Sequence, residues 1–295
     1  MAQALRPGDT IGFASPSALA TAEGFAPILQ AARAMGFRVR TARNLYASGW
    51  TYAASAQERA DDLNQLILDD EVKLIFFSGG EGADEVLPLL DFAAAAAHPK
   101  RWCSYSDGTT ILNAIWARTG ILTYYGQMPR ILPEFTPYNR AQFERFLMAE
   151  TLPEAHVAAS PWITLRGGQA RGTLIGGYVD NFLYLLGNGW LTPRADTPYL
   201  LFLEDHEKFF RMPHESNLLS RLEQSRLMPQ VTGLVFGHYA EPVNQQLLAR
   251  LTRLAEAWNI PVCYCDDFGH GANHAILPIG AQATLDADAQ TLRYG

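Results

Sequence analysis

A short apolar run, Arg101-Trp-Cys-Ser-Tyr105, stops at Ser106-Asp107-Gly108, and an amphipathic helix pattern opens at once with Ile111-Leu-Asn-Ala-Ile-Trp116. A serine on so sharp a strand-to-helix turn has its hydroxyl lifted clear of the sheet. The amide of the next residue then points at any oxyanion that forms there. Ser106 could therefore attack an acyl carbon, with the Asp107 amide as one oxyanion donor. Serine and aspartate are also favoured helix caps, so the turn by itself fits either role.

A serine nucleophile needs a base, and the base needs a group that orients it. The chain has seven histidines. His98, His156 and His214 lie in polar or proline-bearing stretches and are expected to face solvent. His206 and His238 each follow a strong strand pattern. His270 and His274 lie in Phe268-Gly-His-Gly-Ala-Asn-His274, where flanking glycines free the loop to present an imidazole. The orienting carboxylate has one strong candidate. Tyr199-Leu-Leu-Phe-Leu203 reads as a buried strand ending in Glu204-Asp205, and a carboxylate there is poorly solvated and needs a donor such as an imidazole N–H. Pairing of Glu204 with a nearby arginine, or capping of a turn, is the plainer alternative. The order Ser106, Glu204, His270 is also that of the α/β-hydrolases.

Ser78-Gly-Gly-Glu-Gly82 follows the strand pattern Val72–Phe77. Its glycines let backbone amides approach a ligand, which suits an oxyanion hole involving Gly80. The loop lacks a Walker lysine and the full dinucleotide glycine spacing. Glu81 in this loop, with Tyr178 and Trp190, are the candidate substrate-binding residues. Phe182 and Tyr184 share the helical spacing, and such a group of rings is as readily core as a stacking platform.

The elements that must position these residues alternate strand and helix through the first half. Strands are expected at 9–16, 37–40, 72–77, before Ser106 and at 121–125, with helices at 22–35, 55–68 and 84–92. That pattern predicts a flavodoxin-like parallel sheet with ligands beyond the carboxyl ends of its strands. A Pro, Ala, Ser and Gly-bearing segment at 153–168 reads as a linker between residues 1–152 and a smaller α/β domain at 169–295. The second domain is expected to carry strands at 170–175, 199–203, 231–236 and 261–265, helices at 180–186 and 243–258, and a terminal hairpin near 286–288. The active site is expected at the domain interface.

Composition narrows the class. The 295 residues are 48% hydrophobic with a net charge of −7 and no basic block, which argues against nucleic acid or anionic membrane as the main partner. The N-terminal residues lack a signal-peptide pattern and no stretch is apolar enough to span a bilayer, so a cytoplasmic location is expected. Cys103, Cys263 and Cys265 read as reduced core residues rather than metal ligands.

Taken together, these segments resemble the LD-carboxypeptidase family of serine peptidases, which includes the microcin C immunity peptidases. The resemblance rests on Leu5-Arg-Pro-Gly-Asp-Thr-Ile-Gly-Phe-Ala-Ser-Pro16, on Gly79-Gly80-Glu-Gly with Val86-Leu-Pro-Leu-Leu-Asp91, on Tyr105-Ser106-Asp107, on Gly172-Thr-Leu-Ile-Gly-Gly177, on Leu203-Glu204-Asp205, and on Asp267-Phe-Gly-His270 with Leu277-Pro-Ile-Gly280. The matches run in order across nearly the whole chain. They imply Ser106 as nucleophile, His270 as general base and Glu204 as its orienting group, with Gly80 and Asp107 forming the oxyanion hole. They also imply a homodimer, no cofactor and no metal. The implied substrate is a murein L,D-tetrapeptide, as in peptidoglycan recycling, or an aminoacyl nucleotide, as in microcin immunity.

Two departures from the family pattern stand out. Ser104 occupies a position that is often glycine, which bears on the strain of the turn. Gly177 is followed by Tyr178-Val179-Asp180-Asn181 rather than Asn-Leu, which bears on the substrate. A serine esterase with the same residue order, or a two-lobed ligand-binding protein without catalysis, are the alternative readings.

Overall fold

The computed structural model describes residues 2–49 and 53–295. The chain divides into two compact units, Met1–Thr151 with Ile276–Pro278, and Leu152–Ala275 with Ile279–Gly295. Among the described residues no helix is long and apolar enough to cross a membrane.

In the first unit, β1 (Thr10–Ala14), β2 (Arg38–Thr41), β3 (Val72–Phe77), β4 (Arg101–Ser104) and β5 (Thr123–Tyr125) form a sheet ordered β2-β1-β3-β4-β5, every pair parallel. This is the flavodoxin-like order, and its switch point falls between β1 and β3. The connecting helices are α1 (Ala22–Ala34), α2 (Ala56–Leu68), α3 (Phe92–Ala97) and α4 (Thr109–Thr119), followed by α5 (Pro137–Phe143). β1 and β4 are buried throughout and β3 at all but one position, as parallel strands covered on both faces must be. The single helix expected at 84–92 is instead a 3₁₀ segment, Ala83–Leu89, and a separate α3. The break has a local cause: Leu90 is extended, and the Asp91 carboxylate accepts the Ala94 amide at 2.8 Å, which starts a new helix.

The second unit is built on β6 (Ile163–Arg166), β7 (Gln169–Tyr178), β8 (Tyr199–Glu204), β9 (Val231–His238) and β10 (Val262–Gly269). The chain then adds β11 (Leu277–Ile279), which extends the first sheet beyond β5, and returns for β12 (Gln282–Asp286) and β13 (Thr291–Tyr294). The second sheet runs β13-β12-β7-β8-β9-β10-β6; β7 to β10 are parallel, while β6, β12 and β13 pair antiparallel at the two margins. Its helices are α6 (Val179–Gly187), α7 (Met212–Glu223) and α8 (Gln245–Trp258).

The segment read from sequence as a linker is part of this unit. β6 pairs with β10, and the loop before it wraps the buried Asp267. That carboxylate accepts from the Ala159 amide at 2.9 Å, the Ser160 amide at 2.7 Å and hydroxyl at 2.6 Å, and the Trp162 indole at 2.8 Å. His156, expected in solvent, is buried and meets the same carboxylate at 2.7 Å. Burial pushes Asp267 upward, but the bonds from His156, Ser160 and Trp162 outweigh it and hold the acid below its ordinary range.

Candidate active site

The turn at Ser106 is strained. β4 is covered on both sides, and the chain leaves it through Tyr105 into Ser106 at φ 59°, a left-handed conformation for a residue with a Cβ. Such a backbone costs about 1–3 kcal/mol and persists only where its surroundings impose it. Here the Ser106 amide donates to the Tyr125 hydroxyl of β5 at 3.0 Å, and a 3₁₀ turn, Ser106–Gly108, leads directly into α4. Ser104 replaces the first elbow glycine without removing the strained turn. Its hydroxyl donates to the Phe77 carbonyl at 2.8 Å, and a Cβ on Gly108 would lie 2.3 Å from that hydroxyl. Gly108 is therefore the glycine that Ser104 makes obligatory.

The glycine loop lies against this turn. A Cβ on Gly79 would sit 2.7 Å from the Tyr105 carbonyl and 3.2 Å from the Ser106 Cβ; one on Gly80, at φ 154°, would sit 2.2 Å from the Ser17 carbonyl. Close backbone approach is the reason for glycine at both. Glu81 is exposed, and its amide donates to the Ser17 carbonyl at 2.7 Å. The buried Asp107 carboxylate accepts the Ala83 amide at 2.8 Å, so its side chain ties the turn to the loop.

One arginine locks the assembly from beneath. Arg59 of α2, with a side chain 2% exposed, donates to the carbonyls of Ala54 (2.9 Å), Pro16 (2.6 Å) and Gly82 (2.8 Å) and pairs with Glu85. Replacing Arg59 with Met orphans three carbonyls and a carboxylate. The expected loss is about 3–5 kcal/mol in urea denaturation, and a loss below about 1 kcal/mol would contradict this reading.

The second unit pairs His270 with Glu204. Glu204 is the last residue of β8, fully buried, and its Oε2 lies 2.9 Å from Nδ1 of His270, the first residue past β10. Gly269, at φ 102°, makes this pairing possible, since a Cβ there would sit 2.9 Å from Glu204 Oε2 and 3.1 Å from its Cβ. With Nδ1 donating to the carboxylate, Nε2 is left as the acceptor that a general base requires. Tyr178 and Phe209 pack edge-on against the His270 ring at 5.5 and 5.2 Å. Tyr178 thus stands beside His270, whereas Trp190 lies half-buried in the loop after α6 and Phe182 is fully buried core.

Behind Glu204 lie two more buried acids that sequence reasoning did not single out as a pair, Asp205 and Glu215 of α7. Burial, with the charge of Glu204 adding to it, pushes Asp205 up to about 7 against the bonds from Glu215 and the His206 amide. Burial and Asp205 raise Glu215 well above its ordinary 4.5. Unfolded, both acids would release their protons near 4; folded, Asp205 keeps its proton to about pH 7, and Glu215 holds its own well above the ordinary range. On this account stability falls as pH rises from about 4 to about 7. Glu215→Gln mimics the protonated acid, so its thermal midpoint should gain on the wild type between pH 5 and pH 8. A difference that stays constant across that range would contradict the raised pKa values.

The family model of the LD-carboxypeptidase N-terminal domain matches residues 11–126, and that of the LD-carboxypeptidase C-terminal domain matches residues 171–285. The chain belongs to the LD-carboxypeptidase family. It is accordingly a peptidase of the carboxypeptidase type. It is 26% identical to the microcin C7 self-immunity protein MccF of Escherichia coli, over 99% of this chain and 94% of that one. It is 28% identical to a Bacillus subtilis protein named as a probable murein peptide carboxypeptidase, over 98% and 92%. The structure of MccF in complex with aspartyl sulfamoyl adenosine superposes with a TM-score of 0.84 at 25% identity, covering 99% of this chain and 97% of that one. The fold is shared as well with an MccF-like protein from Bacillus anthracis, TM-score 0.88.

Among the described residues, no group of three or more His, Cys, Asp or Glu is arranged to hold a metal ion. Cys103, Cys263 and Cys265 are free and buried.

Proposed function

We propose that this LD-carboxypeptidase family member hydrolyses the amide of a small peptide or peptide-like substrate through Ser106, His270 and Glu204. The observation that carries the reading is a serine held at φ 59° on a strand-to-helix turn in a chain that also pairs a strand-end histidine and a buried glutamate at 2.9 Å. His270 Nε2 takes the proton from Ser106 Oγ as the oxygen attacks the acyl carbon. The amides of Gly80 and Asp107 receive the oxyanion. His270 then protonates the leaving nitrogen, and a water activated by the same ring hydrolyses the acyl-enzyme. Glu204 keeps the imidazole in the tautomer that can do this.

The names of the relatives favour two substrate classes, a murein L,D-tetrapeptide and an aminoacyl nucleotide. Glu81, Tyr178 and Trp190 are the proposed substrate contacts, with Tyr178 the best placed because its ring meets that of His270. Incubation with each substrate class, followed by mass spectrometry of the products, tests the reading. Release of a C-terminal D-amino acid, or of an amino acid from a sulfamoyl nucleotide, supports it. Recovery of both substrates unchanged, with rapid cleavage of a p-nitrophenyl ester, would favour an esterase instead.

A further inference from the structure

The carboxyl ends of three neighbouring parallel strands each carry a histidine: His206 two residues past β8, His238 at the end of β9, and His270 one past β10. Ligands of such sheets bind outside these strand ends. The His206 ring lies 5.5 Å from that of His238 and 6.4 Å from that of His270, centroid to centroid. The reaction described above uses only His270.

The other two rings are fixed in orientation by their Nδ1 atoms. His206 Nδ1 accepts the Lys208 amide at 3.0 Å. His238 Nδ1 lies 2.8 Å from Asp266 Oδ1, an oxygen that also accepts the Tyr264 hydroxyl at 2.8 Å. Neither Nε2 is bonded by another described residue. Because His206 Nδ1 is an acceptor, the proton of the neutral ring must sit on Nε2, which makes that atom a donor. Burial, then His238, Lys208 and His270, keep His206 below the ordinary histidine range and therefore neutral near pH 7. Phe209, 58% exposed, adds an apolar wall at 5.9 Å from His206 and 5.2 Å from His270.

The position of His206 relative to His270 decides what its Nε2–H would meet. His238, whose Nδ1 faces Asp266, presents a lone pair at Nε2, as His270 does, and supplies no donor there. A general acid must come within about 3 Å of the nitrogen it protonates. An acidic oxygen two or three bonds from that nitrogen lies roughly 3 Å from it, given ordinary bond lengths. His206, its ring 6.4 Å from that of His270, is the N–H donor beside the base. We propose that His206 forms a leaving-group subsite that donates from Nε2 to an acidic oxygen of the bound leaving group, with Phe209 against its apolar part. The proposal rests on the peptidase reading above. The shared chemistry is an acidic oxygen near the leaving nitrogen, either the free carboxylate of a C-terminal residue or a sulfonyl oxygen of an acyl sulfamate.

The test compares kcat/KM for an L,D-tetrapeptide with that for its C-terminal carboxamide. A second arm compares an aminoacyl sulfamoyl adenosine with an uncharged aminoacyl anilide. Wild type should prefer the anionic partner by about 10- to 100-fold in the arm that corresponds to its substrate, the range of a charge-assisted hydrogen bond. His206→Ala should reduce that preference through KM, and His206→Gln, which keeps an N–H donor, should retain more of it than His206→Ala. Thermal midpoints close to wild type for the Gln variant guard against misfolding. A preference unchanged in both variants, or absent from wild type, overturns the subsite while leaving the peptidase reading intact. Turnover in neither arm removes both.

Discussion

Ser106→Ala is expected to lower hydrolysis by about 10,000-fold or more, because in the proposed mechanism every later step depends on the bond that Ser106 Oγ forms. The fold should be retained. The substitution removes one part-buried hydroxyl and leaves the Cβ whose left-handed backbone is already imposed by the Tyr125 hydroxyl and the turn into α4. The unfolding midpoint should accordingly stay within the range of an ordinary surface change, about 0.5–1 kcal/mol. Steady-state assays on the preferred substrate, paired with circular dichroism melts, separate the two effects. Residual activity above about one per cent would remove Ser106 from the nucleophile's place.

The second large effect is expected at Glu204. Glu204→Gln conserves volume in a fully buried position, so packing and Gly269 are left undisturbed. The amide nitrogen, however, would face His270 Nδ1 across 2.9 Å and turn it from donor to acceptor. The imidazole then carries its proton on Nε2, the wrong atom for taking one from a serine. An orienting carboxylate lost in this way costs about 1,000- to 10,000-fold in kcat in other serine hydrolases. Activity should return in part with Glu204→Asp only if the shorter side chain can still reach the ring. A Gln variant within about tenfold of wild type would show that Glu204 is a structural acid.

The positions of Ser106, Gly80, Glu204 and His270 were legible in the sequence for one physical reason. Each sits at, or within about five residues past, the stop of an apolar run, and in a parallel sheet such stops are the carboxyl ends of strands. What stayed hidden depends on partners distant in the chain. Asp266 and Asp267 interrupt the apolar pattern after Cys265, so β10 was expected to end at 265 rather than 269. Only the donors of the 156–162 loop, more than a hundred residues earlier, make a buried Asp267 tolerable. The same donors explain why a Pro- and Ser-bearing stretch that reads as a linker is built into the second unit, and why His156 is buried. The Arg59 knot and the Asp205–Glu215 pair were invisible for a similar reason. A charged residue at helical spacing looks solvated until the carbonyls or acids that surround it are known.

The account stands most directly on one reaction, covalent labelling by a fluorophosphonate followed by peptide mass mapping. The probe bonds only to a serine whose hydroxyl proton is being removed by a base, so it reports the nucleophile and its activation together. The prediction is a single adduct on the peptide carrying Ser106 in wild type, and labelling slowed by orders of magnitude in His270→Ala. Labelling at another serine, or at Ser106 with undiminished speed in the His270 variant, would contradict it.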